Sequence, residues 1–293
     1  MIVYLNGQLL PVAEARISPL DRGFLFGDAI YEGLRSISTP RGPHIVAIDR
    51  HWARMRSCLT EVGIDFDPST LTQPSLDLLR ANNLPDAFIY WQVTRGTPGP
   101  NDPPRSRIPP AGLRPTVFGY CAPQPPLSAF AEPPRKRAVT LEDIRWLRGH
   151  IKSTSLLGNI LLTMQAATAG VEEAIFTRNG IVAEGTATNV ILALPGGEIV
   201  TPALDSAPFL SGVTRAILLE EAPDIRTRPV RAEELTQATE IMTIGTTTMV
   251  TSIVELDGRP VGSGAPGPVA RRLLSTLLAA IRREAESSTG PGA

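Results

Sequence analysis

The chain is poor in the residues from which metal centres and disulfide frameworks are built. Its 293 residues include 2 cysteines, Cys58 and Cys121, and 3 histidines, His44, His51 and His150. Cysteines that few and that far apart make neither a cross-linked framework nor a zinc site, and the histidines stand at no ligand-like spacing, so no metal is expected. Neither sign of charge dominates. The 28 Lys and Arg against 29 Asp and Glu leave a formal net charge of −1, which provides no electrostatic footprint for nucleic acid. No apolar run approaches the ~20 residues needed to span a bilayer. The start Met1-Ile-Val-Tyr-Leu-Asn-Gly-Gln8 also lacks the basic opening of a secretion signal. The expectation is a cytoplasmic protein with no membrane partner.

What is present is ordinary globular material, 42% hydrophobic and 19% charged, in a length that suits two domains. Ile2–Leu5, the turn Asn6-Gly7 and Gln8–Val12 predict a hairpin, because Asn-Gly accepts the positive φ values of a two-residue turn. Trp52, Met55, Leu59 and Val62 share one stripe at helical spacing over 49–62. Pro68–Asn82 reads as a second helix and Phe88–Thr94 as a strand. The proline-dense stretch between Gly96 and Pro115 predicts a long stiff loop, of the kind that more often carries function than fills space. Thr116–Cys121 returns as a strand, and the prolines that follow suggest a linker over 121–134. The expected organisation is an N-terminal α+β domain over 1–120, a C-terminal domain over 135–285 and a flexible tail over 286–293, in the α/β (α+β) class.

The chemistry concentrates around one lysine. Glu142–Ile151 alternates apolar and polar residues, with Ile144, Trp146 and Leu147 available to one packed face, so a strand over 137–152 is expected to end at Lys152. Ser153, Thr154 and Ser155 then offer caps for a helix over 156–169. An amine between a buried strand and a helix start is partly desolvated and near positive backbone dipole, which favours its neutral, nucleophilic form. Lysines at strand ends also serve simply to cover apolar surface, and Lys152 alone does not decide between the two.

Further residues shift the balance. Glu184 stands at a predicted strand end, where a carboxylate can hydrogen-bond a protonated ring nitrogen. Arg50, the helix start Gly212-Val213-Thr214 and the hydroxyls of Thr246 and Thr247 could together form a phosphate cup, although each alone has a plainer structural explanation. A lysine amine, a ring-nitrogen carboxylate and a phosphate cup are what pyridoxal phosphate requires.

The segments Asp21–Asp28, Tyr31-Glu32, Ile48–Arg50, Gln92–Thr97, Glu142–Gly158, Glu184-Gly185 with Asn189, and Gly212–Arg215 resemble the fold-type IV pyridoxal-phosphate enzymes, most nearly the bacterial D-amino acid transaminases. The resemblance implies a two-domain architecture with the cofactor in the interdomain cleft, and a homodimer. It implies Lys152 as the Schiff-base lysine, Glu184 at the pyridine nitrogen, and Arg50, Val213, Thr214 and Thr246 at the phosphate. Leu210 would pack on the ring face and Tyr31 would line the substrate pocket. The implied reaction is a ping-pong transfer from a D-amino acid of the alanine or glutamate type to a 2-oxo acid.

The chain departs from that family in one place. Pro100 and Asp102 stand where the D-amino acid transaminases carry an arginine and a histidine that trap the substrate carboxylate. The run Tyr31-Glu-Gly-Leu-Arg35 is similar instead to one in the branched-chain transaminases. Arg35, Arg95, Arg105 and Arg107 are therefore candidate substitutes, and (R)-amine transfer, branched-chain L-amino acid transfer and an aminodeoxychorismate lyase reaction remain alternatives. A non-enzymatic cofactor-binding protein is a further, remoter one.

Overall fold

A computed structural model describes residues 1–287. The chain divides into two compact units, one made of Met1–Pro126 with Ile151–Leu156, the other of Leu127–His150 and the residues from Leu157 onward. Among the described residues no helix is long and apolar enough to cross a membrane.

The first unit is built on an antiparallel sheet. Its elements are β1 (Ile2–Leu5), β2 (Gln8–Pro11), α1 (Arg22–Phe26), β3 (Ala29–Thr39), β4 (Gly42–Ile45), α2 (Ile48–Glu61), α3 (Thr72–Asn82), β5 (Ala87–Thr94) and β6 (Thr116–Pro123). The six strands lie in the order β2-β1-β6-β5-β3-β4. Asn6 and Gly7 take φ values of 49° and 96°, which closes the first hairpin as the sequence predicts. The alternation along β5 turns Ala87, Ile89, Trp91 and Val93 to one side, where they join a core with Trp52, Met55 and Leu59 of α2 and Leu78 and Leu79 of α3. Each such large apolar side chain contributes about 1.5–3 kcal/mol by leaving water. The buried Trp91 indole donates to Ser75 Oγ at 2.9 Å, so the sheet centre holds no unsatisfied N–H there. The opposite side of the sheet is aromatic: Tyr31, Phe88, Tyr90, Phe118 and Tyr120 form a chain of ring contacts with centroids 5.1–6.4 Å apart.

The second unit contains β7 (Arg135–Glu142), α4 (Leu157–Thr168), β8 (Glu173–Arg178), β9 (Ile181–Gly185), β10 (Asn189–Ala193), β11 (Ile199–Pro202), α5 (Val213–Glu221), β12 (Ile225–Arg228), α6 (Ala232–Gln237), β13 (Glu240–Gly245), β14 (Met249–Leu256), β15 (Arg259–Pro260) and α7 (Pro268–Ser287). Its sheet has 9 strands in the mixed order β12-β11-β10-β13-β14-β7-β8-β9, with β15 paired to β14. β10 is buried at every position, as befits a central strand covered on both faces. Leu273, Leu274, Leu277, Leu278 and Ile281 give α7 the apolar stripe that packs it down.

Three expectations need correction. The strand expected to reach Lys152 stops at Glu142, because the next residue turns the chain: the buried Asp143 carboxylate accepts from the Arg145 backbone N–H at 3.0 Å, a local bond that competes with a sheet ladder. Ile144, Trp146 and Leu147 are accordingly exposed at 58%, 47% and 74%, not packed. β6 runs to Pro123, into the stretch read as linker, and the Lys152 segment 151–156 groups with the first unit. Of the tail expected over 286–293, residues 286 and 287 continue α7 and the remainder lies outside the described residues.

Candidate active site

The first unit carries Tyr31, Arg35, Arg50, Arg95 and Lys152. Segment 151–156 lies along the start of β3: the Tyr31 N–H donates to the Lys152 carbonyl at 3.0 Å, the Thr154 N–H donates to the Ala29 carbonyl at 3.0 Å, and Ile30 bridges Ser153. The Thr154 and Ser155 hydroxyls donate to the Gly27 carbonyl, each at 3.2 Å. Held this way, the half-buried Lys152 places its Nζ 4.3 Å from the centroid of the Tyr31 ring, against the aromatic side of the sheet. Its backbone N–H points at the buried Cys58 sulfur, 3.4 Å away.

Beneath lies a buried charge cluster that sequence reasoning missed. Glu32, fully buried, accepts from Arg54 at 2.6 and 3.0 Å, and its Oε1 lies 3.2 Å from His51 Nδ1. Burial alone would raise the Glu32 pKa, but Arg54 and His51 outweigh it and hold the carboxyl far below the usual range. Burial pushes His51 the other way, down toward the neutral form, despite Glu32. His51 and Arg54 are three apart on α2 and face inward together, a spacing visible in the sequence but without meaning there until Glu32 is placed opposite.

The arginines considered for substrate recognition have other work. Arg95 donates to both Asp28 oxygens at 2.8 and 3.0 Å and to the carbonyls of Val62 and Gly63 at 2.7 and 2.8 Å. Arg35 is 1% exposed and donates to the Pro125 carbonyl. Asp102 accepts from the Gly99 N–H at 2.9 Å, tying off its own turn in the 97–114 loop. Arg22 anchors that loop through the carbonyls of Ser106 and Arg107, at 2.6 and 3.3 Å. Arg50 is an exposed residue in the first turn of α2.

The second unit carries Glu184, Leu210, Val213, Thr214, Thr246 and Thr247. Glu184, at the end of β9, is 6% exposed. Its Oε1 accepts from Arg145 Nη1 at 2.5 Å and its Oε2 from the Leu210 N–H at 3.3 Å. Arg145 is in turn clamped on Asp143 at 2.8 and 2.9 Å, with Arg178 3.2 Å from the same carboxylate, and it lies 4.8 Å over the Phe176 ring. Burial works to lower the Arg145 pKa, yet Asp143 and Glu184 overcome it and hold the guanidinium firmly charged. The result is a carboxylate oriented by a permanent cation. Gly149 lets this stretch lie on the Pro208 carbonyl, where any Cβ would collide.

At the start of α5, Val213 and Thr214 are 7% exposed, and Gly212 is the N-cap residue. A Cβ at Gly212 would strike Asn189 Oδ1, whose amide donates to the Leu210 carbonyl at 2.9 Å. Leu210 and the first amides of α5 are therefore fixed together. Thr246 and Thr247, half-buried, follow the end of β13. The buried hydroxyls of Thr188 and Thr248 have no hydrogen-bond partner, and both side chains border Gly245.

The profile of the amino-transferase class IV family matches residues 29–256. This chain belongs to the class IV aminotransferases. It is 33% identical to the D-alanine aminotransferase of Bacillus licheniformis over 97% of this chain and 98% of that one, and 34% identical to that of Staphylococcus aureus strain MSSA476 over 92% and 94%. Among solved structures, a thermophile's branched-chain amino acid aminotransferase complexed with N-(5'-phosphopyridoxyl)-L-glutamate aligns with a TM-score of 0.82 at 26% identity, covering 97% of this chain and 95% of that one. The Escherichia coli branched-chain enzyme aligns with a TM-score of 0.87 at 24% identity over 99% and 97%, a likeness of fold.

The cofactor of this class IV aminotransferase is pyridoxal phosphate. The residues present suit it: a primary amine at Lys152, a buried carboxylate locked by Arg145 for a ring nitrogen, and backbone N–H groups with threonine hydroxyls for a phosphate. Unpaired hydroxyls at Thr188 and Thr248 are polar atoms that a ligand can complete. Sequence reasoning found Glu184 but not Arg145, Asp143 and Arg178, whose polar positions sat inside an alternation read as strand.

Proposed function

We propose that this class IV aminotransferase moves an amino group from a D-amino acid of the alanine or glutamate type to a 2-oxo acid, by a ping-pong cycle. The observation that carries the substrate class is the end-to-end similarity, at 33–34% identity, to D-alanine aminotransferases. Bound pyridoxal phosphate supplies an electron sink for the pair left at the substrate's α-carbon. Lys152 Nζ takes up the cofactor's aldehyde and then carries the proton to and from that carbon. Glu184, kept ionised by Arg145, holds the proton on the ring nitrogen. Arg50, Val213, Thr214, Thr246 and Thr247 hold the phosphate, Leu210 covers the ring face, and Tyr31 lines the substrate side. With Arg35 and Arg95 committed to the scaffold and Asp102 to its own turn, the substrate carboxylate falls to Arg105 or Arg107, both exposed on the 97–114 loop.

A branched-chain L-amino acid reading is favoured by one feature, the loss of the arginine and histidine pair at Pro100 and Asp102, together with the 26%-identical branched-chain structure. We further propose that the active form is a homodimer in the cytoplasm. Leu157, Ile160, Leu161 and Met164, exposed at 68%, 52%, 44% and 60%, form an apolar stripe on α4, which a second copy would cover. Mixing the loaded protein separately with D-alanine, L-leucine and (R)-1-phenylethylamine, and following the visible band of the bound cofactor, tests the assignment. D-alanine is expected to convert the band, and Lys152→Ala to abolish it. Conversion by L-leucine alone would sink the D-amino acid reading.

A further inference from the structure

The buried arginines of this protein mostly come with carboxylates: Arg22 with Asp28, Arg54 with Glu32, and Arg145 with Asp143 and Glu184. Arg215 does not. It is the third residue of α5 and 5% exposed, and its donors meet only neutral acceptors, Thr201 Oγ1 from Nε at 3.3 Å and the Pro202 carbonyl from Nη2 at 2.8 Å. Among the described residues no carboxylate forms an ion pair with it, and burial is the only influence on its protonation, lowering its pKa. A cation in the first turn of a helix also has the same sign as the positive end of the helix dipole. Desolvation, like-sign dipole and the lack of a counter-ion all act against the charge at one place. Such a group is costly unless an anion arrives.

The anion that fits is a phosphate at the start of the same helix. Gly212 brings the chain against Asn189, Asn189 fixes Leu210, and the Val213 and Thr214 amides open α5 two residues and one residue before Arg215. We propose that Arg215 is the electrostatic partner of the cofactor's phosphate, a buried guanidinium whose counter-charge is supplied by the ligand. It acts as a positioning residue, held by Thr201 and Pro202 behind the turn, and it biases this unit toward phosphate-bearing ligands while leaving the chemistry at Lys152 untouched. The inference rests on the reading that the α5 start holds the phosphate.

Affinities for pyridoxal phosphate, for pyridoxal and for inorganic phosphate, measured by titration calorimetry with the thermal midpoint of the cofactor-free protein, test this. Arg215→Gln is expected to weaken pyridoxal phosphate and inorganic phosphate about tenfold or more, the scale of two unit charges about 10 Å apart at an effective dielectric near 20. Pyridoxal should stay within about twofold, and the cofactor-free midpoint should hold or rise, because an uncompensated charge has been removed. Arg215→Lys keeps the charge and should keep most of the preference for the phosphorylated ligand. Equal weakening of both ligands, a lower cofactor-free midpoint with the preference intact, or a lysine variant that loses the preference as fully as the glutamine variant would overturn the proposal. If the wild-type protein itself fails to prefer pyridoxal phosphate over pyridoxal, it is the phosphate reading of α5 that falls.

Discussion

Glu184 is useful to a ring nitrogen only if it stays ionised while buried, and Arg145 is what arranges this. Arg145→Met leaves two buried carboxylates short of a partner: Glu184 loses a 2.5 Å ion pair, and Asp143 loses bonds at 2.8 and 2.9 Å, keeping only Arg178 at 3.2 Å. Removing one member of a buried pair costs about 3–5 kcal/mol, chiefly the cost of the stranded charge. At about 2–4 °C per kcal/mol for a chain of this size, the thermal midpoint should drop by roughly 10 °C. Glu184→Gln should cost less, about 1–3 kcal/mol, because Arg145 remains clamped on Asp143. In Arg145→Met/Glu184→Gln no stranded charge remains at position 184, so the double variant should be more stable than the sum of the singles by about 2 kcal/mol or more. Urea unfolding of the four cofactor-free proteins gives this coupling directly. Additivity within about 0.5 kcal/mol would refute the argument, since it would mean that Arg145 and Glu184 act independently.

Two other outcomes follow from the first unit. Arg95→Ala should lower stability by about 2–3 kcal/mol through its lost bonds to Asp28, Val62 and Gly63, while KM for the amino donor changes less than about threefold; a stable variant with KM raised about a hundredfold would make Arg95 a substrate ligand after all. Glu32 has a pKa held below its unfolded value, so its stabilising contribution is complete above the ordinary glutamate value of about 4.3 and is lost as pH falls through and below it. The stability gap between wild type and Glu32→Gln, measured by urea unfolding, should therefore narrow from about pH 5 to about pH 3, and a constant gap would show that Glu32 does not depend on its charge.

The elements with strong local signals were legible in the sequence. Asn6-Gly7 needs no neighbours to specify a turn, and the stripe of Trp52, Met55 and Leu59 specifies one buried helix face whatever covers it. The stretch 143–150 was not, because its apolar alternation imitates a strand while the deciding interaction is local and polar. Asp143 folds back on Arg145, and the pair then recruits Arg178 and Glu184, which lie 35 and 41 residues beyond Asp143 in the sequence. Periodicity weighs hydrophobic positions and has no means of seeing that a charge at an outward-facing position has turned inward to find a partner.

The same limit divides the candidate site. Lys152, Glu184 and the Gly212-Val213-Thr214 turn could be found because each resembles a known chemical part. The residues that tune those parts are all arginines or their carboxylates, and in sequence an arginine is most often a solvated side chain. Burial is what separates them: Arg95 is consumed by four bonds, Arg145 by two carboxylates, and Arg215, next to a recognised motif, has a buried charge with no acid to meet it. A satisfied buried cation reports on the scaffold. An unsatisfied one reports on a ligand, because the several kcal/mol of desolvation it incurs must be offset by something that binds. By that criterion Arg95 belongs to the fold and Arg215 to the cofactor, although nothing in the local sequence around either residue distinguishes them.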